Sequence, residues 1–251
     1  NDLVNSIRAL INNKNAYAKQ KCTEIMCENE KYRISENGEE KDAVAMDGKK
    51  LYAFYKDFVE KAEVEMFFVG QCDEKAFEDK TKELFGSVKR NVLKIPDTLV
   101  VSEPCGDVKE VTECMEVSQG KLALGFRTGV TISQEDSTAF FLFCDIFGGS
   151  PVSKLFMNVR EKLSLCYYCR ALSDSQKGVM FVLSGIESKN RDKAKDAILS
   201  ELLDIQNGKV TDEEMSAAKL SLKNSVGEMD DNPSTLCSWI LSRLLCGIET
   251  T

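Results

Sequence analysis

Apolar residues recur along this chain in two rhythms, and the alternation between them outlines the fold. Near the start, Leu3, Val4, Ile7, Leu10 and Ile11 keep a helical spacing, taken up again by Tyr17, Ala18, Ile25 and Met26. Asn12, Asn13 and Asn15 fall between the groups and predict an interruption. Residues 30–46 are polar, with a turn at Asn37-Gly38. Asp47 is placed to cap a helix running to Val59, whose apolar face is Leu51, Phe54, Tyr55 and Phe58. Glu63–Gly70, EVEMFFVG, reads as a buried strand, and Asp73 opens a helix that Gly86 stops. Residues 87–106 lose all period and carry Lys89-Arg90, Pro96, Pro104 and Gly106, the best domain boundary in the chain. Beyond it, Val108–Val117 and Lys121–Phe126 flank Ser118-Gln119-Gly120 as a hairpin. Ser133–Phe147 predicts an apolar helix, and Leu165–Leu172 and Val179–Gly185 predict strands joined by a polar turn. Lys189–Gln206, the segment opened by Thr211 and its acidic first turn, and Ser234–Leu245 after Asn232-Pro233 predict three closing helices. Strand pairs followed by runs of helices imply an α+β fold, an antiparallel sheet covered by helices on one face.

The stretch from Gly148 to Tyr168, GGSPVSKLFMNVREKLSLCYY, is where chemistry concentrates. Gly148-Gly149 would break the preceding helix, and Ser150-Pro151 would cap and start the next. Val152, Leu155, Phe156 and Val159 place an apolar stripe on it, and Arg160-Glu161-Lys162 ends it in charge. Leu163–Tyr168 then leads into a strand. Adjacent strand residues point to opposite faces, so one of Tyr167 and Tyr168 enters the core while the other faces a cleft. By the same alternation, Cys166 and Cys169 are expected on opposite faces, an arrangement unsuited to a redox pair or a zinc knuckle.

Composition narrows the chemistry. The 251 residues carry 41 acidic and 33 basic side chains, a formal charge of −8, and no cluster of basic residues interleaved with aromatics, which argues against nucleic acid. No run approaches the ~18 apolar residues a membrane span needs. The chain has no histidine. That excludes His-based acid–base catalysis, Ser-His-Asp and Cys-His pairs, and His-ligated zinc. The ten cysteines are scattered, several of them inside apolar runs, and free thiols at this frequency point to a reducing, cytoplasmic compartment. Gly148-Gly149-Ser150 lacks the Gly-Lys-Ser/Thr of a phosphate-binding loop, and Glu213-Glu214 and Asp230-Asp231 read as solvated helix ends.

The residues GGSPVSKLF and VREKLSLCYY resemble the second domain of the insulinase/pitrilysin/mitochondrial-processing-peptidase family of zinc metallopeptidases, in particular its small bacterial branch of paired active and inactive members. The resemblance is strongest over residues 100–200 and fair over residues 1–90. It implies that Arg160 and Tyr167, seven residues apart, project toward a substrate peptide, hold its backbone and face the developing oxyanion. It also implies that residues 1–95 are the C-terminal part of a first peptidase-like domain. Residues 100–251 would then be a second domain lacking its final helix–strand–helix. In the family the third zinc ligand is a Glu on the helix matching residues 1–20; here its slot falls near Asn5, Ser6 and Ile7, with Asp2 too far away. No catalytic residue, metal ligand or cofactor is therefore expected in this chain, although active family members carry zinc.

The leading expectation is a non-catalytic, peptide-binding half of a clamshell. Its partners would be a peptide or unfolded polypeptide and a catalytic homologous subunit, or a second copy in a homodimer. The alternatives are a fragment of an active zinc endopeptidase whose metal-binding half lies elsewhere, and a structural scaffold without peptide binding. A last expectation follows from the incomplete second domain: its open sheet edge should capture Glu63–Gly70 as a strand beside Val179–Gly185 and the 108–126 hairpin.

Overall fold

The computed structural model describes residues 2–94, 96–101, 106–229 and 231–248. Its centre is a three-stranded antiparallel sheet in the order β1 (Gly120–Arg127), β3 (Val179–Ile186), β2 (Cys166–Asp174). Helices α1 (Asp2–Ala9), α2 (Lys14–Met26), α3 (Glu40–Ala45), α4 (Gly48–Lys61) and α5 (Glu74–Gly86) precede it. Between β1 and β2 lie α6 (Ser137–Cys144) and two π-helical segments, Asp145–Gly149 and Leu155–Lys162. The helices α7 (Arg191–Gln206), α8 (Asp212–Met229) and α9 (Pro233–Leu245) follow β3. The fold is α+β, as the element pattern implies.

β3 is buried along its whole length, and its side chains alternate between two cores. Met180 and Val182 pack on one face with Phe147, Leu155, Val159, Cys169, Ala171 and Ile198. Val179, Phe181 and Leu183 pack on the other with Cys22 and Met26 of α2, Tyr32, Tyr168 and Leu172. A strand covered on both faces has no solvent side, which is why VMFVLSGI reads as a continuous apolar run. Each large side chain so buried contributes about 1.5–3 kcal/mol.

α2 is also anchored by charge. Glu30, just beyond its end, bridges Arg127 of β1 and Lys177 of the β2–β3 turn, with side chains only 6%, 11% and 3% exposed. Lys177 also donates to the Leu99 carbonyl, and Arg127 donates to the Met26 carbonyl at 2.6 Å. Beside them, the Tyr32 hydroxyl donates to Asp174 at 2.7 Å.

The helix ends follow their caps. Asn13 accepts from the Ala16 amide at 3.2 Å to restart the helix after the asparagine-rich interruption. Asp47 accepts from the amides of Lys49 and Lys50, each at 2.9 Å. Thr211 and Glu214 form a reciprocal capping box at 2.9 and 3.1 Å.

Several expectations fail. Glu63–Gly70 makes no ladder with the sheet and is irregular between α4 and α5. Its anchoring is local: Phe68 packs on Phe77 at 5.3 Å, and the Thr81 hydroxyl meets the Met66 sulfur at 3.4 Å. The segment after α5 turns back on α4 instead, the Asn91 and Leu93 amides donating to the Glu60 and Lys61 carbonyls at 2.9 Å. An apolar run supplies strand character but not a ladder partner, and here Val64, Met66, Phe68 and Val69 stay exposed, not buried as expected, with Met66 and Phe68 set against α5. Val108–Val117 is likewise not a strand. Glu113 reaches toward Tyr17 of α2 and Lys109 toward Glu28 just beyond it, and Glu110 and Thr112 toward α7 (Lys195, Arg191), so side-chain contacts hold it beside the sheet. The expected apolar face of α4, Leu51, Phe54, Tyr55 and Phe58, is exposed. Part of the expected boundary, residues 95 and 102–105, lies outside the described residues, as does Asp230 of the Asp230-Asp231 pair.

Candidate functional site

Helix α6 runs on through the π-helical turn Asp145–Gly149 and stops there, at the expected break: Ser150 is extended, with φ −125° and ψ 163°. Gly148 is required by close approach, because a Cβ there would lie 2.6 Å from the Ala171 amide nitrogen of β2 and 2.8 Å from Leu155. The following helical segment begins after Ser153 rather than at Ser150-Pro151. The buried Ser153 hydroxyl accepts from the Phe156 amide at 3.5 Å, and the Ser153 carbonyl from the Met157 amide at 2.8 Å. π-helical winding spaces side chains more widely per turn, so Leu155 and Val159 are fully buried while Val152, ahead of the segment, is exposed.

The segment leaves Arg160 on its outer side. The Arg160 guanidinium lies over the Phe156 ring at 4.4 Å, and its Nε sits 3.5 Å from Glu161. The chain then reverses at Ser164, which holds φ at +51°. The Leu163 amide returns to the Asn158 carbonyl at 2.9 Å, and the Leu165 amide to the Val159 carbonyl at 3.1 Å. This reversal folds β2 back against the helical segment that carries Arg160.

β2 opens with a β-bulge. Cys166 pairs with Ile186 and Tyr168 with Gly185, which leaves Tyr167 as the extra residue. The bulge separates the two tyrosines decisively. Tyr168 turns into the second core, where its hydroxyl donates to Asn15 of α2 at 2.5 Å and Lys121 lies over its ring at 5.1 Å. Gly185 makes the room, since a Cβ at that position would stand 2.5 Å from the Tyr168 ring. Burial is the first reason the Tyr168 phenol is held above its ordinary acidity range. Tyr167 is left 54% exposed, near the Glu187–Lys189 ion pair, in which the hydrogen bond to Glu187 favours the Lys189 ammonium.

The same bulge overturns the expected placement of the cysteines. Adding one residue to the strand brings Cys166 and Cys169 onto the same face, both against the core that holds Leu155 and Val159. Hydrogen bonding between the two thiols is the largest influence on each, lowering the Cys166 pKa and raising that of Cys169. The shared face was not legible in the sequence because the count of two intervening residues carries no sign of a bulge.

The slot of the absent zinc ligand, Asn5 to Ile7, lies on α1, which packs on α3 and is tied to it by Arg8 and Glu40 at 2.5 Å. With no histidine in the sequence, and no three Cys, Asp or Glu side chains converging among the described residues, the donor set does not fit a zinc site.

Comparison with known proteins places this geometry. The profile described as "Peptidase M16 inactive domain" matches residues 45–222. The "Probable inactive metalloprotease YmfF" of Bacillus subtilis is 30% identical over 243 residues, covering 97% of this chain and 57% of its own length. The "Uncharacterized zinc protease YmxG" of the same organism is 23% identical over 191 residues, 75% of this chain and 45% of its own. This chain therefore spans about half the length of the curated relatives it matches. Among solved structures, a conserved protein from Enterococcus faecalis superposes with a TM-score of 0.88 at 28% identity, over 100% of this chain and 59% of that one. A peptidase M16 inactive domain from Pseudomonas fluorescens shares the fold at a TM-score of 0.71 and 16% identity, over 90% and 55%.

Proposed function

This chain belongs to the peptidase M16 inactive-domain family, and from that premise we propose that it is a non-catalytic, peptide-binding half of a metallopeptidase-like clamshell. The observation that carries the proposal is the bulge at Tyr167. It buries one tyrosine of an adjacent pair on Asn15 and turns the other to solvent, on the strand that the Ser164 reversal folds against the Arg160 helix. A buried tyrosine bonded to α2 serves the fold, whereas an exposed tyrosine at a bulge has its hydroxyl free for a ligand. In this reading Arg160 and Tyr167 engage the backbone of an extended peptide or unfolded polypeptide. Arg160 offers a fixed fork of donors to carbonyls, and Tyr167 adds a hydroxyl.

Catalysis is assigned elsewhere, to a homologous subunit or to another part of a longer polypeptide, because this donor set suits neither zinc nor His-based acid–base chemistry. A homodimer is the other arrangement compatible with the reading. Residues 1–95 would close a first peptidase-like domain and residues 100–251 form the second, with α2 packed across the sheet as their interface. The nine free cysteines among the described residues support a reducing, cytoplasmic setting. No helix among the described residues is long and apolar enough to cross a membrane.

The test is binding of fluorescein-labelled casein, an unfolded polypeptide, measured by anisotropy. Tyr167→Phe should weaken binding by the net worth of one hydrogen bond, about 0.5–1.5 kcal/mol, and Arg160→Ala by more, without altering the thermal transition. Equal affinity in the parent and both variants would refute the assignment.

A further inference from the structure

We propose that Cys166 is a reactive thiol, a site of reversible S-thiolation by low-molecular-weight disulfides. The geometry comes first. The bulge at Tyr167 brings Cys166 and Cys169 onto one face of β2, with Cys169 almost wholly buried at 4% exposure and Cys166 half-buried at the strand's open end. The reversal at Ser164, closed by the Leu165 amide on the Val159 carbonyl, sets Arg160 of the π-helical segment within electrostatic reach of that thiol. Ser184, fully buried on β3 and paired opposite Cys169, spends its one hydroxyl proton on the Tyr168 carbonyl at 2.9 Å, so it is not a donor to the thiol.

Of the other charged groups on elements packed against this end of β2, Glu187, which follows the Ile186 paired with Cys166, holds Lys189 at 2.7 Å, and Lys154 holds Glu214 at 2.9 Å. Glu161 pairs with Arg160, and Asp145 accepts from the Ser221 hydroxyl at 3.3 Å. Glu201 of α7 accepts from Asn158 at 2.9 Å, and the Cys144 thiol interacts with Ser173 at the far end of the strand. Cys166 therefore has one thiol donor, Cys169, and one cation, Arg160, with no carboxylate among the groups that set its acidity.

Such surroundings favour the thiolate, which is the nucleophilic form. Hydrogen bonding with Cys169 is the largest influence holding the Cys166 pKa below the ordinary thiol value; burial opposes it, and Arg160 assists. Elsewhere burial dominates and works the other way, pushing the thiols of Cys22 and Cys144 up to about 11 and raising that of Cys27. The reaction is a thiol–disulfide exchange. The Cys166 thiolate attacks one sulfur of a small disulfide, a new S–S bond forms as the reagent's bond breaks, and the other half leaves as thiolate to be protonated by water. A small thiol reverses it. Neither step depends on peptide binding.

The experiment is site-resolved alkylation of the chain with iodoacetamide across a pH series, read by peptide mass spectrometry, followed by exposure to glutathione disulfide and non-reducing mapping. In the folded chain the pH midpoint of Cys166 labelling should lie at least about one unit below its midpoint in the urea-denatured chain, where a thiol titrates near ~8.5. Cys169→Ala should move the folded midpoint upward, and Cys169→Ser, which keeps a hydroxyl donor, should restore most of the shift. Glutathione adducts should appear on Cys166 before the exposed Cys72 and Cys114. The proposal is overturned if Cys166 stays unlabelled in the folded chain, or labels with the denatured-state midpoint. It is equally overturned if Cys72 and Cys114 acquire glutathione while Cys166 does not.

Discussion

Replacing Glu30 with Gln probes the ion pairs most shielded from water among the described residues. The carboxylate joins Arg127 and Lys177 where all three side chains are nearly excluded from water. Burial alone would raise its pKa, but the hydrogen bonds and charges of Arg127 and Lys177 outweigh that and hold it below the usual glutamate range. Removing one partner from a buried ion pair costs about 3–5 kcal/mol, because the other charge stays desolvated. Two features place Glu30→Gln near the lower end: the amide oxygen still accepts one hydrogen bond, and both cations retain a carbonyl partner, Met26 for Arg127 and Leu99 for Lys177. A loss of about 3 kcal/mol lowers Tm by roughly 6–12 °C for a chain of this size. The assay is thermal and urea denaturation followed by circular dichroism. A depressed carboxyl pKa stabilises the fold above the unfolded-state value and loses that contribution as pH falls through the folded value. The difference between parent and variant should therefore be constant from neutral pH down to about 5 and shrink only in stronger acid. Glu83→Gln, which breaks the exposed Lys80–Glu83 pair at 2.9 Å, is the control and should leave the transition in place. A Glu30→Gln transition indistinguishable from that control would refute the reasoning.

Two backbone predictions follow from the turns that deliver the site. Gly148→Ala forces a Cβ into the Ala171 amide of β2 and should destabilise by about 1–3 kcal/mol; unchanged denaturation midpoints would show that the helix-to-strand approach is looser than described. Ser164→Gly relieves a left-handed residue costing about 1–2 kcal/mol, against about 0.5–1 kcal/mol of added unfolded-state freedom. It should stabilise by about 0.5–1 kcal/mol, and a destabilised variant would assign the Ser164 hydroxyl, 3.4 Å from the Glu161 carbonyl, a larger role.

Local chemistry was legible in the residues themselves. Asp47, Asp73 and Thr211 cap the helices their positions indicated, because a cap is a contact between residues two or three apart. The absence of histidine, and with it the loss of His-ligated zinc and His-based catalysis, needed no structure at all. The division of labour between Tyr167 and Tyr168 was readable as a choice, since strand geometry demands opposite faces, but not as an answer. Only the fold selects Tyr168 for the interior, because Gly185 on β3 leaves space for its ring and Asn15, distant in sequence, accepts from its hydroxyl. Ladder membership was equally out of reach: Val179–Ile186 and Glu63–Gly70 are both apolar runs, yet only the first finds strands on either side. Strand pairing is a property of two distant segments, and a single run does not contain its partner. The bulge at Tyr167 is the clearest case, for one unpaired residue reverses the facing of everything before it and thereby joins Cys166 to Cys169. Spacing along a chain predicts facing only while the ladder is regular, and tertiary pairing decides where it is not.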